Sequence, residues 1–349
     1  MDSARFESVG TSAVPLRESL LAAALSMSRH PQDHGWRQLY ADIAEILATD
    51  PEPLLDLARN VPRIDDLAPA YVVGLLAISL QQAWDRSGSG SDPVARRLPQ
   101  GEIAPLAAHL GPTIGFTLAQ HRNSFTGVRR FLVPQVLLAR HFARQQPADI
   151  NFLDIGTGLG LLPRQLDSPA CFDRFTADLT WPRMAPDFTR IGLSSRFGME
   201  LSPLPDLDWV RRCYGPSPYY DHMFEEILET LKIPEVQDAS FTPVDRDACD
   251  VSALAEFISA NSIRAVTAVY SLYQYSAEIR RAIDRAISGS LPEGGIFINI
   301  EPHPTLGQPG CIVHIWLPGK RDRLTVCSVS DGHFRGRVIA GEDYDKFWG

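Results

Sequence analysis

One stretch constrains this chain more than any other. Asn151-Phe152-Leu153-Asp154-Ile155 reads as a short apolar strand, and Gly156-Thr157-Gly158-Leu159-Gly160 as a tight turn. Leu161-Leu162-Pro163 opens a helix. Glycines let a backbone turn sharply and approach a ligand where a Cβ would clash. The N-terminus of the following helix offers unpaired N–H groups. Pro163 falls in the first helical turn, where its missing N–H costs nothing. Strand, turn and helix in this order predict a nucleotide-type pocket. The dinucleotide fingerprint needs a third glycine at the sixth position, which is Leu161 here. A phosphate-binding loop needs Gly-Lys-Ser/Thr at its end, and no lysine precedes Lys232. Both readings fail.

The pattern that fits is Asp154-x-Gly156-x-Gly158-x-Gly160, which resembles the first motif of class I S-adenosylmethionine (SAM) methyltransferases. The resemblance implies a glycine turn beneath the methionine and ribose parts of the cofactor, with Asp154 near its amino group.

With 349 residues and 44% hydrophobic content the chain can bury a large core, and two domains are expected. A formal net charge of -9 leaves no basic footprint for nucleic acid or a membrane surface. The five cysteines are scattered, without Cys-x-x-Cys, which argues for a reducing compartment and against a disulfide framework or zinc knuckle. Three lysines (Lys232, Lys320, Lys346) among 33 basic residues point to a GC-rich, bacterial genome. The N-terminus lacks a signal-peptide pattern, and no apolar run reaches membrane-spanning length. A cytoplasmic protein is expected.

Helical spacing recurs over residues 16–27, 36–48, 54–60, 70–84 and 102–110, then over 126–144, where Pro134 predicts a kink. Residues 1–146 therefore read as an all-α domain. From 147 to 349 strands and helices alternate, the mark of a parallel α/β sheet. Strands are expected at 151–155, 198–201, 240–244, 265–270 and 295–301, and helices at 161–166, 220–231, 251–260 and 277–287. Two apolar runs, 311–317 and 324–329, read as a closing antiparallel hairpin. The predicted fold is α/β: a class I SAM-methyltransferase-like, Rossmann-type sheet ending in that hairpin, behind the helical domain. Residues 173–197 are too long for an ordinary connection and predict a flap over the sheet edge or the pocket.

Further segments carry a wider resemblance. These are Asp173-Arg174-Phe175-Thr176-Ala177-Asp178, Arg196-Phe197-Gly198-Met199-Glu200-Leu201-Ser202-Pro203 with Asp208-Trp209, Asp245-Arg246-Asp247-Ala248, and Tyr270-Ser271-Leu272-Tyr273-Gln274-Tyr275. Together with Leu153–Gly156 they resemble the bacterial domain-of-unknown-function 2332 family of methyltransferase-like proteins. The likeness spans most of the chain in short, degenerate motifs, and implies a fold more firmly than an activity. One departure matters. The family carries a polar Asn-Glu-Val-Gly-Arg stretch before the first strand, where this chain has Ser124-Phe125-Thr126-Gly127-Val128. If that stretch lines the pocket, the pocket is remodelled.

The candidate site residues follow from position. In a SAM site the acid closing the second strand takes the ribose hydroxyls; Asp178 and Glu200 compete, and Glu200 is preferred. Asp247, with Asp245 as rival, follows the third strand, where a side chain meets the adenine amino group; a helix cap is its bland reading. Tyr270 and Tyr273 follow the fourth strand, beside the transferring methyl. An aromatic ring there can hold a cationic sulfonium or a hydroxyl can move a proton. Glu301 and His303 follow the fifth strand as a candidate acid/base pair. His121 is placed to deprotonate a substrate, and Arg122 to clamp an anion bidentately. The competing readings are ordinary strand-end packing and a polar helix connection. No His-Glu-x-x-His or Gly-x-Ser-x-Gly occurs, so no metal site is expected.

The leading function is a SAM-dependent methyltransferase-like enzyme acting on a small molecule, with the helical domain choosing the substrate. The alternative keeps the fold without methyl transfer, as an elimination or ring closure in specialised metabolism without SAM. A protein partner or a homodimer stays open in either case.

Overall fold

The computed structural model describes residues 15–29, 34–86, 103–120, 122, 124–145, 147–183, 186–201, 204–214, 218–302, 310–320 and 322–348. The strands are β1 (Asn151–Ile155), β2 (Leu179–Thr180), β3 (Ser195–Glu200), β4 (Thr242–Asp245), β5 (Ile263–Val269), β6 (Ile296–Pro302), β7 (Cys311–Trp316), β8 (Leu324–Val329) and β9 (Gly336–Ala340). They form one sheet in the order β2-β9-β8-β7-β6-β5-β1-β3-β4. β1 lies between β3 and β5, parallel to both, with β4 and β6 continuing parallel on either side. β7, β8 and β9 then add in antiparallel succession, and β2 pairs parallel to β9. This is the expected Rossmann-type sheet with its closing hairpin. The hairpin continues into β9 and β2, which are too short and polar to stand out in the sequence.

The sheet follows from its residues. Parallel strands covered on both faces must be apolar throughout, and Ile263, Ala265, Val266 and Ala268 of β5 are fully buried. Side chains alternate between the faces with period two. Ile296, Ile298 and Ile300 of β6 enter one core, and Phe297 enters the core on the other side. The chain leaves β1 for β3 and β4, then returns across it to β5 and β6. That reversal opens a crevice at the carboxyl ends of β1 and β5, where α/β sheets bind ligands.

The helices preceding the sheet are α1 (Leu16–Met27), α2 (His34–Thr49), α3 (Glu52–Ala58), α4 (Pro69–Arg86), α5 (Ile103–Gln120) and α6 (Leu132–Ala143). α1 to α5 share one apolar cluster. α6 does not join it. Ten of its residues, from Leu132 to Phe142, are buried, and they pack with β6 and β7 against the sheet. Two expectations change here. α5 runs through Pro112 to Gln120. The predicted helix over 126–144 begins only at Leu132, so Pro134 sits in its first turn, where no i→i−4 bond is lost and nothing requires a kink. Residues 124–131 are freed as loop and turn.

Within the sheet region the helices are α7 (Leu161–Gln165), α8 (Pro169–Thr176), α9 (Leu207–Tyr214), α10 (Pro218–Thr230), α11 (Pro234–Asp238), α12 (Val251–Ala260), α13 (Ala277–Ser290) and α14 (Tyr344–Trp348). Side chains at the caps of α8, α12 and α13 accept the free amides, Ser168 from Cys171, Asp250 from Ala253 and Ser276 from Ile279. Trp209 and Cys213 of α9 insert into the cluster of α1 to α5. A main-chain seam adds to that contact. Leu67 forms an antiparallel bridge with Tyr275, Ala68 N–H donates to Gln274 O at 2.8 Å and Ser276 N–H to Asp66 O at 2.7 Å.

Residues 173–197 are the end of α8, then β2, then an extended return to β3. Asp167 holds the return by accepting the amides of Ile191, Gly192 and Leu193 at 2.5, 3.0 and 3.1 Å. Phe188 packs on Phe172, and Gln135 of α6 donates to Thr189 O at 2.7 Å. The segment therefore covers the far edge and the α6 face of the sheet, and none of its described residues lines the cleft. No described helix is long and apolar enough to cross a membrane.

Candidate active site

The glycine turn is held by its neighbours on both sides. Gly156 and Thr157 donate their amides to Met199 O at 2.9 and 3.2 Å, tying the turn to β3. Gly156, Gly158 and Gly160 all have positive φ, 71°, 53° and 66°, a conformation that L side chains resist. Beyond that they differ. A Cβ on Gly156 would lie 2.3 Å from Cβ of Ser271, and one on Gly160 would lie 2.2 Å from the Phe241 ring. On Gly158 the nearest atoms would be Ser124 Oγ and Thr126 Oγ1 at 3.3 and 3.4 Å, across the cleft. Gly158 is open to a ligand. Gly160 starts α7 beneath Phe241 and lines neither lobe of the cleft.

Asp154 sits behind this turn, 3% exposed. It accepts the hydroxyl proton of Thr267, on the adjacent β5, at 2.7 Å. Burial pushes its carboxyl up to about 7. Glu200, the last residue of β3, accepts the amides of Gly158 at 3.3 Å and Leu201 at 3.2 Å. Burial raises its carboxyl too, against those hydrogen bonds and the nearby Arg122.

Two lobes of one cleft share Gly156 and Glu200. The first lobe is walled by Met199, Ala248, Tyr275 and Asp247. Asp247 accepts the Cys249 amide and the Tyr275 hydroxyl, each at 3.0 Å, and stands 3.8 Å from Arg63. Arg122 lines this lobe, its carbonyl taking the Trp209 indole N–H at 2.7 Å. The second lobe is lined by Ser124, Phe125, Thr126, Arg130, Asp154 and Tyr270, among others. Of the 124–128 stretch, Ser124, Phe125, Thr126 and Gly127 line the pocket, and Val128 is buried in the core.

Tyr270, directly after β5, has φ 55°, an outlier for a bulky residue. Its amide is fixed on Ile300 O at 2.8 Å. The Arg130 guanidinium lies 4.0 Å from its ring centroid. That face therefore already carries a cation, which displaces the idea that this ring receives a sulfonium. Burial also raises the Tyr270 hydroxyl well above its ordinary value, so it is a poor general base near neutrality.

The structure thus brings Asp154, Gly156, Gly158, Glu200, Asp247, Arg122 and Tyr270 to one cleft. Others lie elsewhere. Asp178 pairs with Arg129 at 2.6 Å, outside the cleft, and Asp245 is exposed at the end of β4. Glu301 lies on the α13 face, 3.4 Å from Arg280, because it follows Phe297 by an even step along β6. Tyr273 packs edge-on between Tyr71 and Tyr270, behind the lobe. His121 and His303 lie outside the described residues. No group of three potential metal ligands occurs among the described residues.

Arg130, Thr267 and Tyr275 were not singled out from the sequence. Arg130 had one faint signal, Gly127 three residues earlier. A Cβ there would stand 2.8 Å from Arg130 Nε, so the glycine lets the arginine fold back.

No family model matches the sequence, and no curated protein matches it. Solved structures do. One is a SAM-dependent methyltransferase from Clostridium acetobutylicum, 11% identical, with 64% of this chain and 79% of that chain covered and a TM-score of 0.27. Another is a SAM-bound amino pentose methyltransferase of calicheamicin biosynthesis from Micromonospora echinaspora. It is 14% identical over 56% of this chain and 70% of that chain, with a TM-score of 0.27. A methyltransferase from Streptomyces caelestis is 14% identical over 57% and 72% of the two chains, with a TM-score of 0.24. Likeness at this level adds nothing about cofactor or substrate, which rest on the cleft itself.

Proposed function

We propose that this protein is a SAM-dependent methyltransferase acting on a small molecule. The observation that carries the reading is the glycine turn: Gly158 is open to the cleft, and its amide is held by a carboxylate at the end of the next strand. The residues present fit the cofactor. Glu200 would take the ribose hydroxyls, and the Asp247 carboxylate, with Ala248 and Met199 as walls, would take the adenine end. Asp154 and Glu200 would attract the ammonium of the methionine end. When bound, the cofactor supplies an electrophilic methyl on a sulfonium sulfur.

For such a displacement the protein's work is alignment and exclusion of water. The strained Tyr270 and the loop 124–130 form the wall against which an acceptor would be aligned, and the helical region would cap the cleft and select it. The test is calorimetric titration of the full chain with SAM and S-adenosylhomocysteine. Micromolar binding, lost in Gly158→Arg with the fold intact, supports the reading. A folded protein giving neither heat nor a thermal shift overturns it.

Residues 124–127 line the acceptor lobe and differ from the polar stretch of the family the chain resembles, which supports a second reading, an elimination or ring closure on the same cleft. Turnover indifferent to added SAM would separate it from the first.

A further inference from the structure

Three arginines meet beside the acceptor lobe, and they are not equivalent. Arg129 donates to Asp178 at 2.6 Å and to both oxygens of Glu226 at 2.6 and 2.7 Å. Arg335 donates to Glu226 at 2.9 Å and meets His222 at 3.0 Å. Arg130 has main-chain partners instead. Its Nε donates to Gly332 O at 3.2 Å and its Nη1 to Phe125 O at 2.7 Å, with the plane on Tyr270. Among the described residues no carboxylate oxygen lies within ion-pair distance of it. Asp331, close enough for Tyr270 to sense, accepts the Arg335 amide.

A guanidinium carries five N–H donors in a fixed plane. Two are engaged here, which leaves an outer edge suited to a planar pair of oxygens. The carbonyls and the ring hold that edge in place, so little side-chain freedom is lost on binding. Glu200 lines the same lobe and, when ionised, repels a phosphate dianion more than a carboxylate. A single negative charge is tolerated, and an ammonium beside it is favoured.

We propose that Arg130 is the carboxylate receptor of the cleft: a ligand lying against the glycine turn presents a carboxylate to its outer edge, above the Tyr270 ring. The inference rests on the ligand-binding reading of the glycine turn given above. Two sources share this chemistry, the amino-acid end of the cofactor and an acidic acceptor, and one experiment separates them.

Wild type, Arg130→Gln and Arg130→Lys are titrated with S-adenosylhomocysteine and with 5′-methylthioadenosine, which lacks the amino-acid end. The proteins, with 5′-methylthioadenosine present, are then probed by fluorine NMR with 4-fluorobenzoate and 4-fluorobenzamide. If the cofactor supplies the carboxylate, Arg130→Gln weakens S-adenosylhomocysteine about tenfold to a hundredfold and leaves 5′-methylthioadenosine unchanged. If an acceptor supplies it, both nucleosides bind as before. The 4-fluorobenzoate signal then broadens with wild type, but not with Arg130→Gln, and the benzamide stays sharp throughout. Arg130→Lys keeps the charge without the fork and falls between the two. An Arg130→Gln protein that matches wild type on every ligand overturns the proposal. Wild type that binds neither nucleoside overturns the proposed function instead, and the 4-fluorobenzoate arm, run without nucleoside, still decides on Arg130.

Discussion

Thr267 donates its hydroxyl proton to Asp154 at 2.7 Å, from β5 to β1, buried at the back of the cleft behind the glycine turn. The Asp154 carboxyl is nonetheless raised from its ordinary 3.8 to about 7, because burial outweighs that bond. The native state therefore holds a proton that the unfolded chain releases between about pH 4 and 7. Stability is highest below that window and falls as pH rises through it, on the order of 4 kcal/mol from this group. Melting temperature in the absence of ligand should drop from pH 5 to pH 8. Asp154→Asn should remove no more than about half of the slope, because Asp284 is also raised to about 7 and Glu200 is raised in the same sense. An unchanged slope in Asp154→Asn would refute the assignment.

Gly158 and Gly160 should separate binding from folding. Gly160→Ala drives a methyl into the Phe241 ring and is expected to cost about 2–4 kcal/mol in urea denaturation, from overpacking and left-handed strain. Gly158→Ala meets a tight but yielding contact, 3.3 Å to the Ser124 hydroxyl, so it should cost about 1–2 kcal/mol, chiefly from left-handed strain, while weakening nucleoside binding more than Gly160→Ala does.

Glu200 and Asp178 competed for one role, and the cleft contains only Glu200. Glu200→Gln should weaken 5′-methylthioadenosine binding by about tenfold or more, the scale of a charged hydrogen bond. Asp178→Asn loosens the Arg129 pair and should leave nucleoside binding within about twofold. Equal effects would mean that the ribose acid has been misassigned.

Tyr270 is expected to matter through its ring. Its hydroxyl makes a long contact, 3.4 Å to Gly310 O, and meets the Cys311 thiol, so Tyr270→Phe should change stability by no more than about 1.5 kcal/mol. Tyr270→Ala removes the platform under Arg130 and should cost about 3–5 kcal/mol. Chemical denaturation of the two variants checks both.

The sequence carried the sheet well, because each central strand is a run of apolar residues bounded by its own turn. β2 and β9 escaped notice because a two-residue edge strand and the five-residue strand beside it, largely exposed, have little apolar signal to offer. α8, α9 and α11 escaped because they are short helices in a stretch read as loop, fixed by caps and by insertion into neighbouring cores. In the site, the acids at strand ends were legible from position alone. Glu301 shows the limit of that logic. It closes its strand as Glu200 does, yet it faces α13, since which face a strand-end residue meets depends on its parity along the strand. Arg130 was hidden for a different reason: nothing in a sequence distinguishes an arginine paired with a carboxylate, as Arg129 is, from a neighbour held by carbonyls.

The seam between Leu67 and Tyr275 has a bearing on how such a protein can change. It joins the helical region to the ligand cleft through peptide groups, which every residue type supplies alike. From the helical region Pro62, Arg63, Asp66 and Leu67 line the lobe of Tyr275 and Asp247, and none of the described residues of α1 to α5 lines either lobe. The two regions are thus tied together without reliance on side-chain identity, so surface substitutions on α1 to α5 should leave nucleoside affinity unaltered.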